Sequence, residues 1–274
     1  MQEISDRSTF RSFEHTGWKT VAGDYHDHFA SLTNQAVCAL LDAVGAGRGV
    51  RLLDACTGPG YAAAAAARRG AAVIGLDFSA PMVAHARRHS PEVRFLVGDA
   101  EQLPFASGSF DAVITNFGLL HLAHPKQFLG EAYRVLRSGG RVGFTVWAPP
   151  EEAIGFAIVL SSIQTHGNAK IVLPEGPPFF HFSEAAECRR ALERAGFAAP
   201  GVTRVPQLWR LPDPDSLFQA MLNGTVRTGG LLRAQAPQAM ASIRSAMRAV
   251  VEARRHGDAF ELPMPAVLAS AAKP

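Results

Sequence analysis

The sequence predicts an α/β protein built on a doubly wound, largely parallel sheet. Short apolar runs alternate with helical segments through the first half of the chain, and each run is apolar at nearly every position. Such runs are typical of strands in a parallel sheet that helices cover on both faces. With 274 residues, 47% of them hydrophobic, the chain is long enough to bury a sizeable core.

The first half divides into a helical N-terminal cap, residues 1–46, and an α/β core, residues 47–148. In the cap, the spacing of Leu32, Ala36, Leu40 and Ala43 predicts an amphipathic helix over residues 29–45. The core contains apolar runs and helical stretches in alternation. Strands are expected at 50–55, 71–77 and 93–99 and from residues 111 and 141, with helices at 61–69, 80–89 and 125–136.

The second half is expected to cover the sheet and to complete it. Segments 149–200 and 212–257 are predicted to be lid or substrate-binding insertions, the first of them rich in proline and aromatic residues. Segments 201–211 and 258–270 are predicted to be an antiparallel pair that forms the final strands of the same sheet. The predicted sheet therefore has seven strands, mostly parallel, with the last strand antiparallel.

Charge and cysteine content exclude several classes of protein. The formal net charge of +3 is too small over this length for a nucleic-acid-binding surface. Cys38, Cys56 and Cys188 lie far apart and in no metal-ligand spacing, which argues against a disulfide framework or a zinc site. The first residues do not resemble a secretory signal and no apolar run reaches membrane-spanning length. A cytoplasmic protein without a membrane partner is expected.

A glycine-rich turn after the first strand indicates a nucleotide-containing ligand. Gly58, Gly60 and Ala63 match the pattern G-x-G-x-x-G/A between a strand and a helix, which predicts a Rossmann-like arrangement. The pattern alone suits a dinucleotide equally well. Asp54, at the end of the strand, would repel a pyrophosphate but would attract the ammonium and sulfonium groups of S-adenosylmethionine (SAM). The turn therefore favours SAM.

Two further acids end the next two predicted strands. Asp77 follows Gly60 by 17 residues, where an acid accepts hydrogen bonds from both ribose hydroxyls of an adenosine. Asp99 ends the third strand and suits the exocyclic amine of adenine, although a simple turn residue is the alternative. Since ligands of open α/β sheets bind at the carboxyl ends of the strands, the three acids are expected at one site.

The motifs LLDACTGPG, VIGLDFSAPMV, FLVGDAEQLPFASGSFDAV and EAYRVLRSGGRVGF occur in this order between residues 18 and 146. Together they resemble the class I SAM-dependent methyltransferases, especially the ubiquinone/menaquinone-biosynthesis-like (type 11) branch. The family usually has glycine where this chain has Cys56, and a threonine-like residue where it has Pro59.

The resemblance implies a set of cofactor-binding residues. Asp54, Gly58 and Gly60 would surround the methionine part of SAM, and Asp77 would bind the ribose. The remaining implied contacts are Phe78 and Met82 beside the adenine, Asp99 and Ala100 at its edge, Asn116 and Phe117 below the sulfonium, and Tyr25 in a segment that folds over the cofactor. Burial in the core is the alternative for Met82 and Phe117.

Catalytic and metal-binding residues are less marked. Methyl transfer is an in-line displacement that depends mainly on alignment and exclusion of water, so a base is needed only if the acceptor holds its proton. His121, just past the fourth strand, is the candidate base, with a structural role as the alternative. His26 and His28 alternate with acids in poor ligand geometry, so no metal is expected.

The sequence therefore predicts a SAM-dependent methyltransferase that acts on a small organic metabolite, and the aromatic content of the insertion favours an aromatic or apolar acceptor. A homodimer is possible. One alternative is a SAM-binding enzyme of this fold with a non-methylating outcome such as decarboxylation, hydroxylation or cyclisation. An NAD-dependent oxidoreductase is disfavoured by Asp54, and a non-catalytic SAM-binding module is the remaining alternative.

Overall fold

The principal sheet has seven strands in the order β3-β2-β1-β4-β5-β10-β6. The computed structural model describes residues 2–274, with side chains from residue 8 onward. A second sheet contains three strands in the order β7-β9-β8. The strands are β1 (Arg51–Ala55), β2 (Ala72–Asp77), β3 (Arg94–Val97), β4 (Phe110–Asn116), β5 (Leu136–Trp147), β6 (Ala198–Val205), β7 (Leu208–Leu211), β8 (Arg255–His256), β9 (Ala259–Pro263) and β10 (Ala266–Ala272).

Helices fill most of the chain between the strands. They are α1 (Gln2–Thr20), α2 (Ala22–Thr33), α3 (Val37–Ala43), α4 (Tyr61–Arg68), α5 (Ala80–His89), α6 (Pro125–Val135), α7 (Ile154–His166), α8 (Ala185–Arg194), α9 (Ser216–Asn223), α10 (Arg227–Arg233) and α11 (Pro237–Glu252). Short 3₁₀ helices occur at Asn34–Ala36, Leu119–His121 and His181–Ser183. Within the described residues, no helix has both the length and the apolar character needed to cross a membrane.

The chain forms two compact units, here called the sheet unit and the helical unit. The sheet unit comprises residues 33–148, 177–205 and 266–274. The helical unit comprises residues up to 32 together with 149–176 and 206–265. The structure therefore divides the chain differently from the predicted segments, since the cap is split after Leu32 and part of the predicted lid belongs to the sheet unit.

The seven-stranded sheet confirms the predicted fold class. Strands β1 to β5 pair in parallel, and β10 pairs antiparallel with both β5 and β6. Helix α4 packs on β1 and β2, α5 on β2 and β3, and α8 on β6 and β10. The alanines of α4 allow a close approach to the sheet, and Ala63 is fully buried against Phe95 and Val83.

The prediction that segments 201–211 and 258–270 form an antiparallel pair in the same sheet is right for one part of each segment and wrong for the other. Each segment contains two strands, and only β6 and β10 join the seven-stranded sheet, while β7 and β9 pair with each other elsewhere. Pro206 follows β6 and Pro265 precedes β10. Because proline has no N–H to donate, each of these residues ends a ladder of hydrogen bonds and lets the chain change sheet.

The predicted helix over residues 29–45 is also interrupted. Helix α2 ends at Thr33, a 3₁₀ turn covers Asn34–Ala36, and α3 begins at Val37. Three of the four predicted core positions are nevertheless fully buried, namely Leu32, Ala36 and Leu40, whereas Ala43 is half-buried.

The helical unit has its own packed core. Helix α7 packs on α9, α11 and β9, and α9 also packs on α10. The backbone N–H of Gly155 in α7 donates to Met264 Sδ at 3.1 Å. The side chain of Val226 lies so close to Gly17 in α1 that a Cβ on this glycine would be 2.4 Å from Val226 Cγ1. Glycine at position 17 therefore permits the close approach of α1 in this unit.

Candidate cofactor site

The carboxyl ends of β1, β2 and β4 form the candidate site in the sheet unit. Strand β1 lies between β2 and β4, and Asp54 is paired in register with Gly75 on one side and Ile114 on the other. Asp77 ends β2 and Asn116 ends β4. The order of the strands therefore brings these three predicted site residues to one edge of the sheet, where open α/β sheets bind their ligands.

The glycine turn after β1 runs through left-handed backbone conformations. Cys56, Gly58 and Gly60 have φ values of 55°, 54° and 85°. A Cβ on Gly58 would meet nothing within 4 Å, whereas a Cβ on Gly60 would lie 2.8 Å from Phe95 Cζ. Gly58 therefore leaves space beside the turn, while Gly60 is required by packing beneath it.

Asp54 is nearly fully buried and is only partly satisfied. Its Oδ2 atom accepts hydrogen bonds from the Thr57 hydroxyl at 2.6 Å and from the Ala63 N–H at 3.0 Å. Its Oδ1 atom is buried and has no hydrogen-bond partner among the described residues. Burial raises the pKa of Asp54 to about 7, against the opposing effect of the two hydrogen bonds. A buried acceptor of this kind is completed by a donor from a ligand or water.

Asp77 is buried as well, and both of its oxygens hold the backbone of the site. Oδ2 accepts from the Gly58 N–H at 2.9 Å and Oδ1 accepts from the Ser79 N–H at 2.8 Å. Burial raises the pKa of Asp77 to about 6, although these bonds and the charge of His121 lower it. Since a carboxylate offers about four lone-pair directions, acceptor capacity remains for the hydroxyls of a ribose.

The predicted adenine contacts fall into two groups. Phe78 and Asp99 are half-buried, whereas Met82 and Ala100 are buried at 3% and 4% exposure. Asp99 Oδ1 accepts from the N–H of Glu101 at 2.9 Å, which is the geometry of a turn. The structure therefore supports the core alternative for the Met82 side chain and shows that Asp99 has a turn role, whatever else it contacts.

Asn116 and Phe117 are held by a residue that sequence reasoning missed. Thr145, fully buried on β5, donates from its hydroxyl to Asn116 Oδ1 at 2.6 Å and accepts at that hydroxyl from the Phe117 N–H at 3.0 Å. Phe117 has φ 57° and its ring lies 4.1 Å from the ring of Trp147. A threonine in the otherwise apolar run RVGFTVW was the available signal for Thr145.

His121 lies in the 3₁₀ turn that follows β4 and is half-buried. Its charge acts on Asp77, so it belongs to the same electrostatic environment as the predicted ribose site. The ring of Phe179 lies 6.1 Å from the imidazole. The side chain of His121 therefore has an aromatic neighbour within the sheet unit.

Tyr25 lies in α2 of the helical unit. Its ring stacks on Phe29 at 5.9 Å and meets the edge of Trp18 at 5.6 Å. These contacts anchor Tyr25 within the helical unit, and contact of Tyr25 with a cofactor stays a prediction.

Cys56 occupies the position at which the resembling family usually has glycine. The structure gives the reason for that preference, because the left-handed conformation of Cys56 is strained for a residue with a side chain. The side chain fits because residue 118 is glycine, whose Cβ would lie 2.4 Å from Cys56 Cβ. Burial, with the charges of Asp77 and Asp54, raises the pKa of the thiol well above its ordinary value. Cys56 is therefore a poor nucleophile.

No metal centre accompanies this site in the part of the chain that the structure describes, since no group of three His, Cys, Asp or Glu residues there could hold an ion.

Comparison with known proteins finds methyltransferases that are similar to the part of the chain that contains this site. A family model described as a methyltransferase domain matches residues 53–144. A demethylmenaquinone methyltransferase from Beutenbergia cavernae is 45% identical over 123 residues, which are 43% of this chain and 51% of the relative. A malonyl-[acyl-carrier protein] O-methyltransferase from Pectobacterium atrosepticum is 35% identical over 127 residues, 46% of this chain and 50% of the relative. The chain thus spans about half the length of these curated relatives.

Solved structures agree on the fold. A phosphoethanolamine N-methyltransferase from Haemonchus contortus, solved in complex with SAM, aligns with a TM-score of 0.58 at 21% identity and covers 97% of this chain and 60% of its own. The resemblance inferred from the sequence motifs is confirmed. Residues 53–144 match a methyltransferase domain, and over this part the chain is similar to demethylmenaquinone methyltransferases.

Proposed function

We propose that the protein is a SAM-dependent methyltransferase that acts on a small organic acceptor. The observation that carries this proposal is the buried, unpartnered Oδ1 atom of Asp54 at the carboxyl edge of the sheet. Burying a carboxylate without an opposite charge is costly. A cationic ligand removes this cost, and SAM carries both an ammonium and a sulfonium group.

The residues of the site fit this cofactor one by one. Asp54 would attract the cationic end, Gly58 would let the ligand approach the turn, and Asp77 would accept the ribose hydroxyls. Phe78, Asp99 and Ala100 would border the adenine, with Met82 behind it, and Asn116, Phe117 and Tyr25 are the remaining proposed contacts. Bound SAM supplies an electrophilic methyl group. The protein's residues have to orient it and exclude water, which accounts for most of the rate gain in such a displacement.

The acceptor is proposed to be apolar or aromatic, like the demethylmenaquinone named for several relatives. Phe179 lies beside His121, and Phe117 stacks on Trp147, so aromatic surface adjoins the end of β4. His121 is the proposed base for an acceptor that must lose a proton. A homodimer and a cytoplasmic location remain predictions.

Titration calorimetry at pH 7.5 with SAM, and with NAD as the rival ligand, tests the proposal. We expect SAM to bind at micromolar concentration and NAD to bind weakly. Asp77→Asn should lower the SAM affinity by about 10- to 100-fold, because a hydrogen bond to a charged group contributes about 1.5–3 kcal/mol. Asp111→Asn, at the opposite edge of the same sheet, is the matched control and should bind SAM as the wild type does.

Failure of the wild-type protein to bind SAM at high micromolar concentration would exclude the proposal. Binding without methyl transfer to any acceptor, in a screen of quinols, phenols and amines with radiolabelled SAM, would instead favour the non-methylating alternative.

A further inference from the structure

A chain of hydrogen bonds connects three segments of the sheet unit at the end of β4. Asn116 Nδ2 donates to the carbonyl oxygen of Thr33 at 3.1 Å, and Asn116 Oδ1 accepts from the Thr145 hydroxyl at 2.6 Å. The same hydroxyl accepts from the N–H of Phe117 at 3.0 Å. These four residues are here called the Thr145 network. It joins the end of α2 to β4 and β5.

The hydroxyl of Thr145 performs two opposite tasks at once. It donates a hydrogen bond to the Asn116 side chain and accepts a hydrogen bond from the Phe117 backbone N–H, which a hydroxyl can do and a methyl group cannot. By accepting at Oδ1, Asn116 is forced to point its NH₂ group at Thr33. The bond thus fixes which way the amide faces as well as where it lies.

The network also holds Phe117 in its strained conformation. The N–H of Phe117 donates to two oxygens of Thr145, the hydroxyl at 3.0 Å and the backbone carbonyl at 3.1 Å. Strained backbone persists where surrounding contacts over-determine it, and such positions cluster at functional sites. This conformation places the Phe117 ring at a tilt against the ring of Trp147, two residues beyond Thr145 on the same strand.

Trp147 is in turn tied to the following segment of the sheet unit. Its carbonyl oxygen accepts from the Ser183 hydroxyl at 2.8 Å, and both the Ser183 and Phe182 side chains are buried. Strand β5 therefore presents two supports for Phe117, the Thr145 hydroxyl at its backbone and the Trp147 ring at its side chain.

We propose that Thr145 is a positioning residue for methyl transfer, which holds Asn116 and Phe117 in the conformations that face the methyl donor. The inference rests on the proposed function, because it takes Asn116 and Phe117 as contacts of SAM. Thr145 itself need not touch the cofactor. Its effect should therefore appear in how SAM is distinguished from its demethylated product, S-adenosylhomocysteine, more than in the fold.

Two variants of Thr145 separate positioning from simple packing. Thr145→Ser keeps the hydroxyl, whereas Thr145→Val keeps the shape and removes both hydrogen bonds. Thr115→Val is the matched control, since Thr115 is equally buried on the adjacent strand, and its hydroxyl interacts with the Cys56 thiol and takes no part in the Thr145 network. All variants are compared at equal folded fraction, by calorimetry with SAM and with S-adenosylhomocysteine.

We expect Thr145→Val to lower the affinity for SAM about tenfold and to change the ratio of the two affinities. Thr145→Ser and Thr115→Val should stay within about threefold of the wild type. Equal behaviour of Thr145→Val and Thr145→Ser, with a wild type that binds SAM, would overturn the inference alone. A wild type that does not bind SAM would overturn the proposed function and this inference with it.

A second measurement does not depend on any ligand. Amide hydrogen exchange at Phe117 should be about tenfold faster in Thr145→Val than in Thr145→Ser, because the exchanging N–H loses one of its two acceptors. Equal exchange in the two variants would show that the hydroxyl does not hold this backbone, and would also overturn the inference.

Discussion

The aspartates at the two edges of the seven-stranded sheet have different partners and oppositely shifted pKa values. At the carboxyl edge, Asp54 and Asp77 are buried and are bonded by neutral N–H and hydroxyl groups. At the amino edge, Asp111 lies between two guanidinium groups: Arg51 donates to it at 3.1 Å, and Arg137 also donates from its Nε. Although partial burial opposes the effect, these cations hold the pKa of Asp111 well below its ordinary value.

The difference distinguishes an acid that supports the fold from the two acids that are proposed to bind a ligand. Asp111 has its opposite charges within the protein, so its ionised form adds to stability. Asp54 and Asp77 have their pKa values raised to about 7 and about 6, so ionisation of either reduces stability until a cation arrives. Carboxyls perturbed by burial in a cleft are candidate functional groups for this reason.

Replacing one acid at each edge by its amide should change stability in opposite directions. The unfolded-state pKa of an aspartate is about 3.9, so the cost of ionising Asp54 in the fold grows between pH 4 and pH 7. At pH 8, Asp54→Asn should therefore raise the free energy of unfolding by about 2 kcal/mol, an advantage that shrinks as the pH falls towards 4.

Asp111→Asn should lower the free energy of unfolding by about 2 kcal/mol at pH 8, because charge-assisted hydrogen bonds are lost. Since the folded-state pKa of Asp111 is depressed, the loss should disappear as the pH falls below about 4. Urea unfolding of both variants across this pH range measures the two effects. If both variants changed the free energy of unfolding in the same direction at pH 8, the proposed difference between the two edges would be wrong.

The turns at the two edges should differ in how they tolerate a methyl group. Gly60→Ala combines a left-handed backbone with close approaches to Phe95 and Ala86, so we expect a loss of about 3 kcal/mol in unfolding free energy. Gly108, just before β4 at the amino edge, has φ 72° but open space around it. Gly108→Ala should cost about 1 kcal/mol, from backbone strain alone. Thermal and urea unfolding measure the stability of both variants. Equal losses of unfolding free energy would mean that Phe95 and Ala86 move aside without cost when residue 60 carries a methyl group.

The affinity for SAM should fall on acidification, since a cation prefers the ionised form of Asp54. With a pKa of about 7 in the free protein, protonation should weaken binding about 20-fold between pH 7.5 and pH 5.5. Calorimetry in buffers of different ionisation enthalpy would also report release of a proton on binding. Asp54→Asn should bind weakly with a much flatter pH profile, whereas a steep profile in this variant would assign the titration to another group.

The sequence was sufficient to predict the residues whose place in the fold follows from their position at the end of a strand. Asp54 and Asp77 directly follow apolar strands, and parallel strands place their ends together, so their meeting at one edge follows from order alone. Gly58 and Gly60 were predicted as a pair, but their separate roles depend on Phe95 and Ala86, which are remote in the sequence.

Contacts between distant strands were out of reach of the pattern. Thr145 reads as one polar residue in an apolar run, and its function depends on the register that pairs it with Asn116. Each of the two segments that were predicted as single strands, 201–211 and 258–270, is divided by a proline, Pro206 in the first and Pro265 in the second. The effect of these prolines on hydrogen bonding was visible in the sequence. Which sheet each half would join was set by partners far along the chain.

The position of β10 has a consequence for the order of folding. Strand β6 has β10 as its neighbour in the sheet, and residues 206–265 separate the two strands in the chain. At a synthesis rate of about 5–20 residues per second, β6 emerges several seconds before its partner. During this interval β5 and β6 both lack the strand that joins them, so each has an unpaired edge that is open to mispairing until β10 has been made.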